Sequence, residues 1–283
     1  MKVSSVEIFN LNVDIGGFPW HPVLVRVNTD EGISGVGEVG LAYGTGHNAA
    51  FGMAKDIAEG FIIGADPFRS EWMWENLFRR TFWGQGGGPV VYGGISAFDI
   101  AFWDIKGKAL GVPVWKLLGG KTNPLLRCYA SQIQAGWGKK IKTCRYPEEF
   151  AEEAMKAVAD GYDCIKVDPC QNDERGERLL GLRGLLPKRL LRMVRDRIKA
   201  IREAVGPDVD IIVELHSGTA VNSAVQMGSI WEEFGCLFVE EPTNYVNVES
   251  QHKISSKVRV PQAAGERLYT RWGFRQYIER QVL

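Results

Sequence analysis

Asp210-Ile211-Ile212-Val213-Glu214-Leu215-His216, Phe238-Val239-Glu240-Glu241 and Gln262-Ala263-Ala264-Gly265-Glu266 are three short, mainly apolar stretches that each arrive at a carboxylate. Glu214, Glu240 and Glu266 follow one another at equal intervals of 26 residues. Runs that are apolar rather than alternating are expected of parallel strands covered on both faces. In a parallel barrel, one strand-and-helix unit carries the chain from one strand end to the next, so equivalent positions meet at the C-terminal face. Three carboxylates brought together there repel one another unless a cation lies between them. Oxygen-only ligation favours a hard ion, and Mg²⁺ fits best. Any one of these glutamates taken singly reads better as a solvated loop-end residue; the evenly spaced set is what predicts a metal site. Glu241 stands beside Glu240, but neighbouring strand residues point to opposite sides, and the register of Glu214 and Glu266 selects Glu240.

The same two-residue period places His216 on the side of Glu214, and Asp168 on the side of Lys166. A histidine beside a metal ligand is placed for proton transfer, because its ordinary pKa lies near neutrality; the alternative is a hydrogen-bonded loop histidine. For Lys166, a nearby Mg²⁺ would oppose the ammonium form while the acidic ligands would favour it. A salt bridge to Asp168 or another acid is the competing reading.

Working outward, the second half alternates strand and helix. Strands are expected at 125–131, 164–168, 210–215, 237–240 and 262–266. Helices are expected from Pro147 to Gly161 and over 187–205, 220–234 and 247–256. The stretch 170–186 is longer than a usual strand-to-helix loop, which leaves open a lid, an oligomer contact or a solvated excursion; its Arg175, Arg178 and Arg183 could meet an anionic substrate. The first half reads differently, with strands over 3–13, 22–29 and 33–39 followed by helices near 47–63, 68–82 and 94–110. An α+β first domain ending near Gly120 is expected, and the repeated strand-helix units after it predict either a parallel barrel of the TIM type or a doubly wound sheet.

Gly35-Val36-Gly37-Glu38-Val39-Gly40 matches a dinucleotide-binding pattern letter for letter, but it lies inside a strand-like run and opens no helix. Gly84–Gly88 reads as a flexible turn between helices. The 34 basic and 34 acidic residues balance, which argues against a nucleic-acid partner and gives no reason to expect a membrane surface. The N-terminus lacks the apolar segment of a signal peptide. None of Cys128, Cys144, Cys164, Cys170 and Cys236 forms a close pair, so buried free thiols in a reducing cytoplasm are expected.

Ala97-Phe98-Asp99-Ile100-Ala101-Phe102-Trp103-Asp104-Ile105-Lys106-Gly107-Lys108 and the later Leu117-Leu118-Gly119-Gly120 resemble the helix and linker signature of the mandelate racemase/muconate lactonizing enzyme group of the enolase superfamily. Phe238-Val239-Glu240-Glu241-Pro242 and Ala263-Ala264-Gly265-Glu266-Arg267 resemble that group's metal-ligand motifs, and the likeness covers essentially the whole chain. Glu214-Leu215-His216 looks like the galactonate and mannonate dehydratase branch. Lys166-Val167-Asp168 lacks the second lysine of the racemases' Lys-x-Lys motif. The resemblance implies a Mg²⁺-dependent acid-sugar dehydratase, a hydro-lyase that eliminates water from an aldonic or aldaric acid through an enediolate to give a 2-keto-3-deoxy acid. It implies Glu214, Glu240 and Glu266 as ligands, His216 and Lys166 as catalytic groups, and Asp168 as a substrate contact. The first domain's loops at 16–21 and 43–47 offer Trp20, His21, Tyr43 and His47 to polyol hydroxyls, with surface or packing roles as the alternative for each. A cytoplasmic homo-oligomer is expected.

The resemblance implies an α/β architecture: an α+β N-terminal capping domain, residues 1–120, followed by a TIM-type (β/α) barrel, residues 121–283, that carries the metal site. That barrel is incomplete here, since the 159 residues from 125 to 283 fall short of the roughly 250 of a complete barrel. No histidine follows Glu266, whereas the resemblance implies a later one as the α-proton base. The sequence therefore predicts a C-terminally truncated chain, or one that another chain completes, and these 283 residues alone are expected to bind Mg²⁺ weakly and to turn over acid sugars slowly or not at all. An epimerase or cycloisomerase of the same superfamily, and a non-catalytic fragment or assembly subunit, are the alternatives.

Overall fold

The chain divides into two units, Met1–Leu126 and Arg127–Leu283, in a computed structural model that describes residues 1–41 and 45–283.

In the first unit, β1 (Val3–Asn10), β4 (Val23–Thr29) and β5 (Ser34–Val39) form an antiparallel sheet in that order. Between β1 and β4 a small hairpin is inserted, β2 (Val13–Ile15) paired with β3 (Phe18–Trp20). The sequence reading merged β2 into a longer first strand. Asp14, whose carboxylate accepts from the Gly17 amide at 2.6 Å, closes the turn instead. Gly16 and Gly17 supply the positive φ that the turn requires.

The helices α1 (His47–Ile57), α2 (Ser70–Arg80), α3 (Pro89–Leu110) and the one-turn α4 (Val114–Leu117) follow. Gly111, in the left-handed region, ends α3. The sheet packs on α3 so closely that a Cβ built on Gly35 would lie 2.1 Å from the Ala101 carbonyl oxygen, and one on Gly37 2.0 Å from that of Ala97. That contact explains the glycine pattern of β5 without any nucleotide. Val25, Val27, Leu77, Phe98, Phe102 and Ile105 fill this core.

In the second unit, α5 (Pro147–Ala159), β6 (Cys164–Val167), α6 (Lys188–Val205), β7 (Asp210–Glu214), α7 (Val221–Glu233), β8 (Phe238–Glu240), α8 (Val248–Ser255), β9 (Gln262–Ala263) and α9 (Thr270–Glu279) alternate along the chain. The strands form a parallel sheet in the order β6-β7-β8-β9. This is the succession of a barrel wall, in which each strand lies beside its predecessor. Every residue of β6 is buried, as is β7 beyond Asp210, as parallel strands covered on both faces require. Ile165, Val167, Ile211, Val213 and Val239 meet Phe150, Val194, Ile198, Ile201 and Trp231 in one core.

The strand expected at 125–131 is reduced to a single bridge between Ala130 and Ile165. Arg127 spans the N-terminal ends of the neighbouring strands, donating from Nε to Asp163 at 2.9 Å and from Nη1 to Asp210 at 2.6 Å. Pro147 and Glu149 begin α5 as the sequence suggests: the Glu149 carboxylate accepts from the amides of Arg145 and Tyr146. Four of the cysteines are buried and free, but Cys128 is exposed, contrary to expectation, because the segment holding it forms no continuous strand. No helix among the described residues is long and apolar enough to cross a membrane.

Candidate active site

Parallel pairing sets Glu214 directly beside Glu240 at the C-terminal ends of β7 and β8. Lys166, near the end of β6, sends its ammonium between them, 3.2 Å from Glu214 Oε2 and 2.9 Å from Glu240 Oε2. Burial opposes a charge on this lysine, but the hydrogen bond to Glu240 and the two carboxylate charges outweigh it, raising its pKa well above the ordinary lysine range. The acidic partners of this ammonium are the two glutamates rather than Asp168. Glu214 is the more deeply buried carboxylate, and desolvation together with repulsion from Glu240 pushes it up to about 7. The shared ammonium lies nearer to Glu240.

Beyond Glu214 the strand geometry ends. The amides of Leu215 and His216 both turn back to donate to Glu214 Oε1, at 3.1 and 2.9 Å. His216 and Ser217 take positive φ values of 47° and 58°, so His216 reaches the site through a tight turn, not through strand alternation. Its Nδ1 lies 3.0 Å from Asp168 Oδ2. Burial lowers the pKa of His216, but the Asp168 hydrogen bond and the charges of Glu214 and Asp168 raise it further, for a net upward shift. Asp168 is itself buried, and its Oδ1 accepts from the Cys170 amide at 2.8 Å. Both oxygens are thus engaged within the protein.

Glu266 lies three residues beyond β9, and its Oε1 accepts from Arg267 Nη1 at 2.5 Å. Among the described residues no group of three or more His, Cys, Asp or Glu side chains is gathered as a cage for a metal ion. The donor chemistry nonetheless fits a hard cation. A buried carboxylate, Glu214, and a partly buried one, Glu240, converge on a positive charge, here an ammonium, and a third carboxylate beyond the next strand is held by a guanidinium.

The long loop after β6 is fastened to this end of the sheet. The Leu182 amide donates to the Gly218 carbonyl at 2.9 Å, and the Leu182 carbonyl accepts from the Ala220 amide and from Ser223 Oγ. At its root, the fully buried guanidinium of Arg197 donates to the carbonyls of Pro169, Asn172 and Arg145 at 2.6–2.7 Å. Sequence reading passed over Arg197 as one more basic residue of an amphipathic helix; only its burial singles it out.

Trp20, His21 and His47 belong to the first unit. There His21 and His47 stack with ring centroids 4.5 Å apart, and Trp20 lies 6.3 Å from the Phe18 ring. Tyr43 lies outside the described residues.

A carboxylate pair thus faces a cation at parallel-strand ends, with a carboxylate-held histidine beside it. Residues 20–119 match the family described as the mandelate racemase / muconate lactonizing enzyme N-terminal domain, and residues 149–283 the family described as enolase C-terminal domain-like. The chain belongs to the enolase superfamily, in its mandelate racemase/muconate lactonizing enzyme group. It is 32% identical over 278 residues to a D-galactonate dehydratase from Verminephrobacter eiseniae, an alignment covering 98% of this chain and 65% of that relative. It is 31% identical to a D-gluconate dehydratase from Thermoproteus tenax, over 91% of this chain and 48% of that one. Among solved structures it is similar to a Zymomonas mobilis protein provisionally described as a dehydratase, with 51% identity and a TM-score of 0.96 over the whole of this chain and 72% of the other. A member of the enolase superfamily from Salmonella Typhimurium gives 49% identity and a TM-score of 0.95 over the same shares. The chain thus spans about two-thirds of the length of the D-galactonate dehydratase it matches.

Proposed function

We propose that this chain carries the cation-binding and acid-donating part of an acid-sugar dehydratase, which removes water from an aldonic or aldaric acid to leave a 2-keto-3-deoxy acid. The observation that carries this reading is His216: its Nδ1 is committed to Asp168, and it sits two residues from Glu214. With Nδ1 occupied, proton transfer falls to Nε2, and the raised pKa supports the imidazolium form that can protonate a departing hydroxyl. In this reading Asp168 orients the histidine and does not contact substrate, since both its oxygens already have partners.

Glu214, Glu240 and Glu266 would hold Mg²⁺. When bound, the ion supplies positive charge that offsets the negative charge growing on the substrate carboxylate as its α-proton leaves. Lys166, held as an ammonium, serves as a counter-charge that offsets the repulsion between Glu214 and Glu240 and draws both toward a common point. Because its ammonium donates to both glutamates, this reading gives Lys166 the role of counter-charge rather than base. The names of the dehydratase relatives support elimination. The single lysine of Lys166-Val167-Asp168 speaks against a racemase that uses a second lysine at Asp168.

The test is to incubate the chain and Mg²⁺ with a panel of aldonic and aldaric acids and follow the mixture by ¹H NMR. The C3 methylene of a 2-keto-3-deoxy product is expected. An epimerised acid with no new methylene would replace this proposal with epimerisation, and no change in any acid would favour a non-catalytic role.

A further inference from the structure

One side chain ties the exits of three successive strands together, and the metal-site reading leaves it out. Glu241 is 1% exposed although it directly follows a residue facing the site. Its Oε2 accepts from Ser217 Oγ at 2.9 Å, beyond β7, and from the Arg267 guanidinium, beyond β9. Its amide donates to the Ala263 carbonyl at 2.9 Å, and its carbonyl accepts from the Ser217 amide at 3.1 Å. Arg267 Nη1 simultaneously holds Glu266. Oε1 of Glu241 has no hydrogen-bond partner among the described residues.

The backbone around it is strained. His216, Ser217 and Glu241 have φ values of 47°, 58° and 45°, and none is glycine. Each such residue costs on the order of 1 kcal/mol and persists only where its surroundings over-determine it. The Ser217 hydroxyl and the Arg267 pair supply that constraint. A buried ion pair with an unsatisfied oxygen is a poor way to add stability, since a well-packed apolar pair often does as well. Its location, joining the segments that carry Glu214, His216, Glu240 and Glu266, gives it another purpose.

We infer that Glu241 is a positioning residue for the candidate metal site: through Ser217 it holds the left-handed turn that presents His216, and through Arg267 it fixes Glu266 relative to Glu240. This rests on the reading of the three glutamates as ligands given above.

Glu241→Gln keeps the size and can still accept from Ser217, but it loses the charge that holds Arg267. Mn²⁺ binding to the whole chain, measured by calorimetry, is expected to weaken 10- to 100-fold, the usual effect of losing a group that orients ligands. Hydrogen exchange over 215–218 in the metal-free chain is expected to quicken. Ser217→Ala removes only the hydroxyl that Glu241 accepts from, leaving the Cβ at the same φ, and should quicken the same amides. It carries the test if Glu241→Gln does not fold. Ile198→Val, in the core under α6, should lower the melting temperature while leaving both readouts unchanged, which separates positioning from general stability. Mn²⁺ affinity within twofold of wild type together with unchanged exchange in both variants would overturn the inference. If the wild-type chain binds no Mn²⁺, the ligand reading fails by itself, and the exchange rates alone decide whether Glu241 holds the turn.

Discussion

Replacing Arg197 with methionine removes a guanidinium that is fully buried and makes no direct salt bridge. Three carbonyl partners lose a charge-assisted hydrogen bond, at about 1.5–3 kcal/mol each, or roughly 5–9 kcal/mol in all. The stacking of the guanidinium 4.9 Å from the centre of the Phe150 ring adds about 1–2 kcal/mol. Against this, taking a charge out of the interior returns several kcal/mol of desolvation, and methionine refills most of the volume. The net loss is about 3 kcal/mol. For a unit of 157 residues, a urea slope of about 2 kcal/mol per molar turns that loss into a midpoint shift of about 1.5 M. A urea series read by pulsed hydrogen exchange on peptides of α6 reports the second unit alone. The amides of 170–172 should also exchange faster in native buffer, because Arg197 holds the Pro169 and Asn172 carbonyls. Arg197→Lys, with a compact ammonium, should recover only part of the loss. A shift below about 0.3 M for Arg197→Met would refute the reasoning, since it would mean that the three carbonyls find other donors at no cost.

Asp168→Asn should leave Mg²⁺ affinity nearly unchanged but lower dehydratase turnover by a factor of about 10²; rates on the best sugar acid and calorimetry separate the two. Lys166→Met leaves Glu214 and Glu240 facing one another without a counter-charge, so the chain should melt at lower temperature. Saturating Mg²⁺ should restore about 3 kcal/mol at a hundredfold excess over Kd, which thermal scans with and without the ion will show. Gly35→Ala drives a methyl into the Ala101 carbonyl and should cost the first unit about 1–3 kcal/mol, read as a lower melting temperature. Glu153 has its pKa lowered: burial opposes this, but the Trp137 amide and Lys156 outweigh it. A carboxylate with a depressed folded-state pKa stabilises fully above its unfolded value of about 4.3 and loses that contribution as pH falls through the folded value. Glu153→Gln should therefore destabilise at pH 7, with the gap to wild type closing toward pH 3.

The parts that could be read from the sequence were those set by periodicity. Equal spacing brought Glu214 and Glu240 to adjacent strand ends, and apolar runs gave β6, β7 and β8. Where the backbone leaves the strand, the period fails. Glu266 sits beyond a β9 of only two residues. His216 reaches Asp168 through a turn of positive φ that no alternation rule anticipates. The same rule set Glu241 aside as facing away, and facing away is what lets it reach Ser217 and Arg267. Helix α9 went unread because Gly273 and four charged or amide side chains blur its apolar face. Long-range partners such as Arg197 with the Pro169 carbonyl are fixed by tertiary packing, which a single sequence does not display.

The Arg127 bridge to Asp163 and Asp210 lies where β6 and β7 begin, whereas the carboxylates and His216 lie where the strands finish. The two ends of the sheet therefore answer to different demands. At the beginning of the strands an engineer can exchange the arginine clamp for apolar packing or a different ion pair and tune heat resistance. At the far end, the strained turns lie among the candidate site residues, so a substitution that relaxes them also shifts those residues. Libraries for robustness belong at the first, and libraries that test the proposed function at the second.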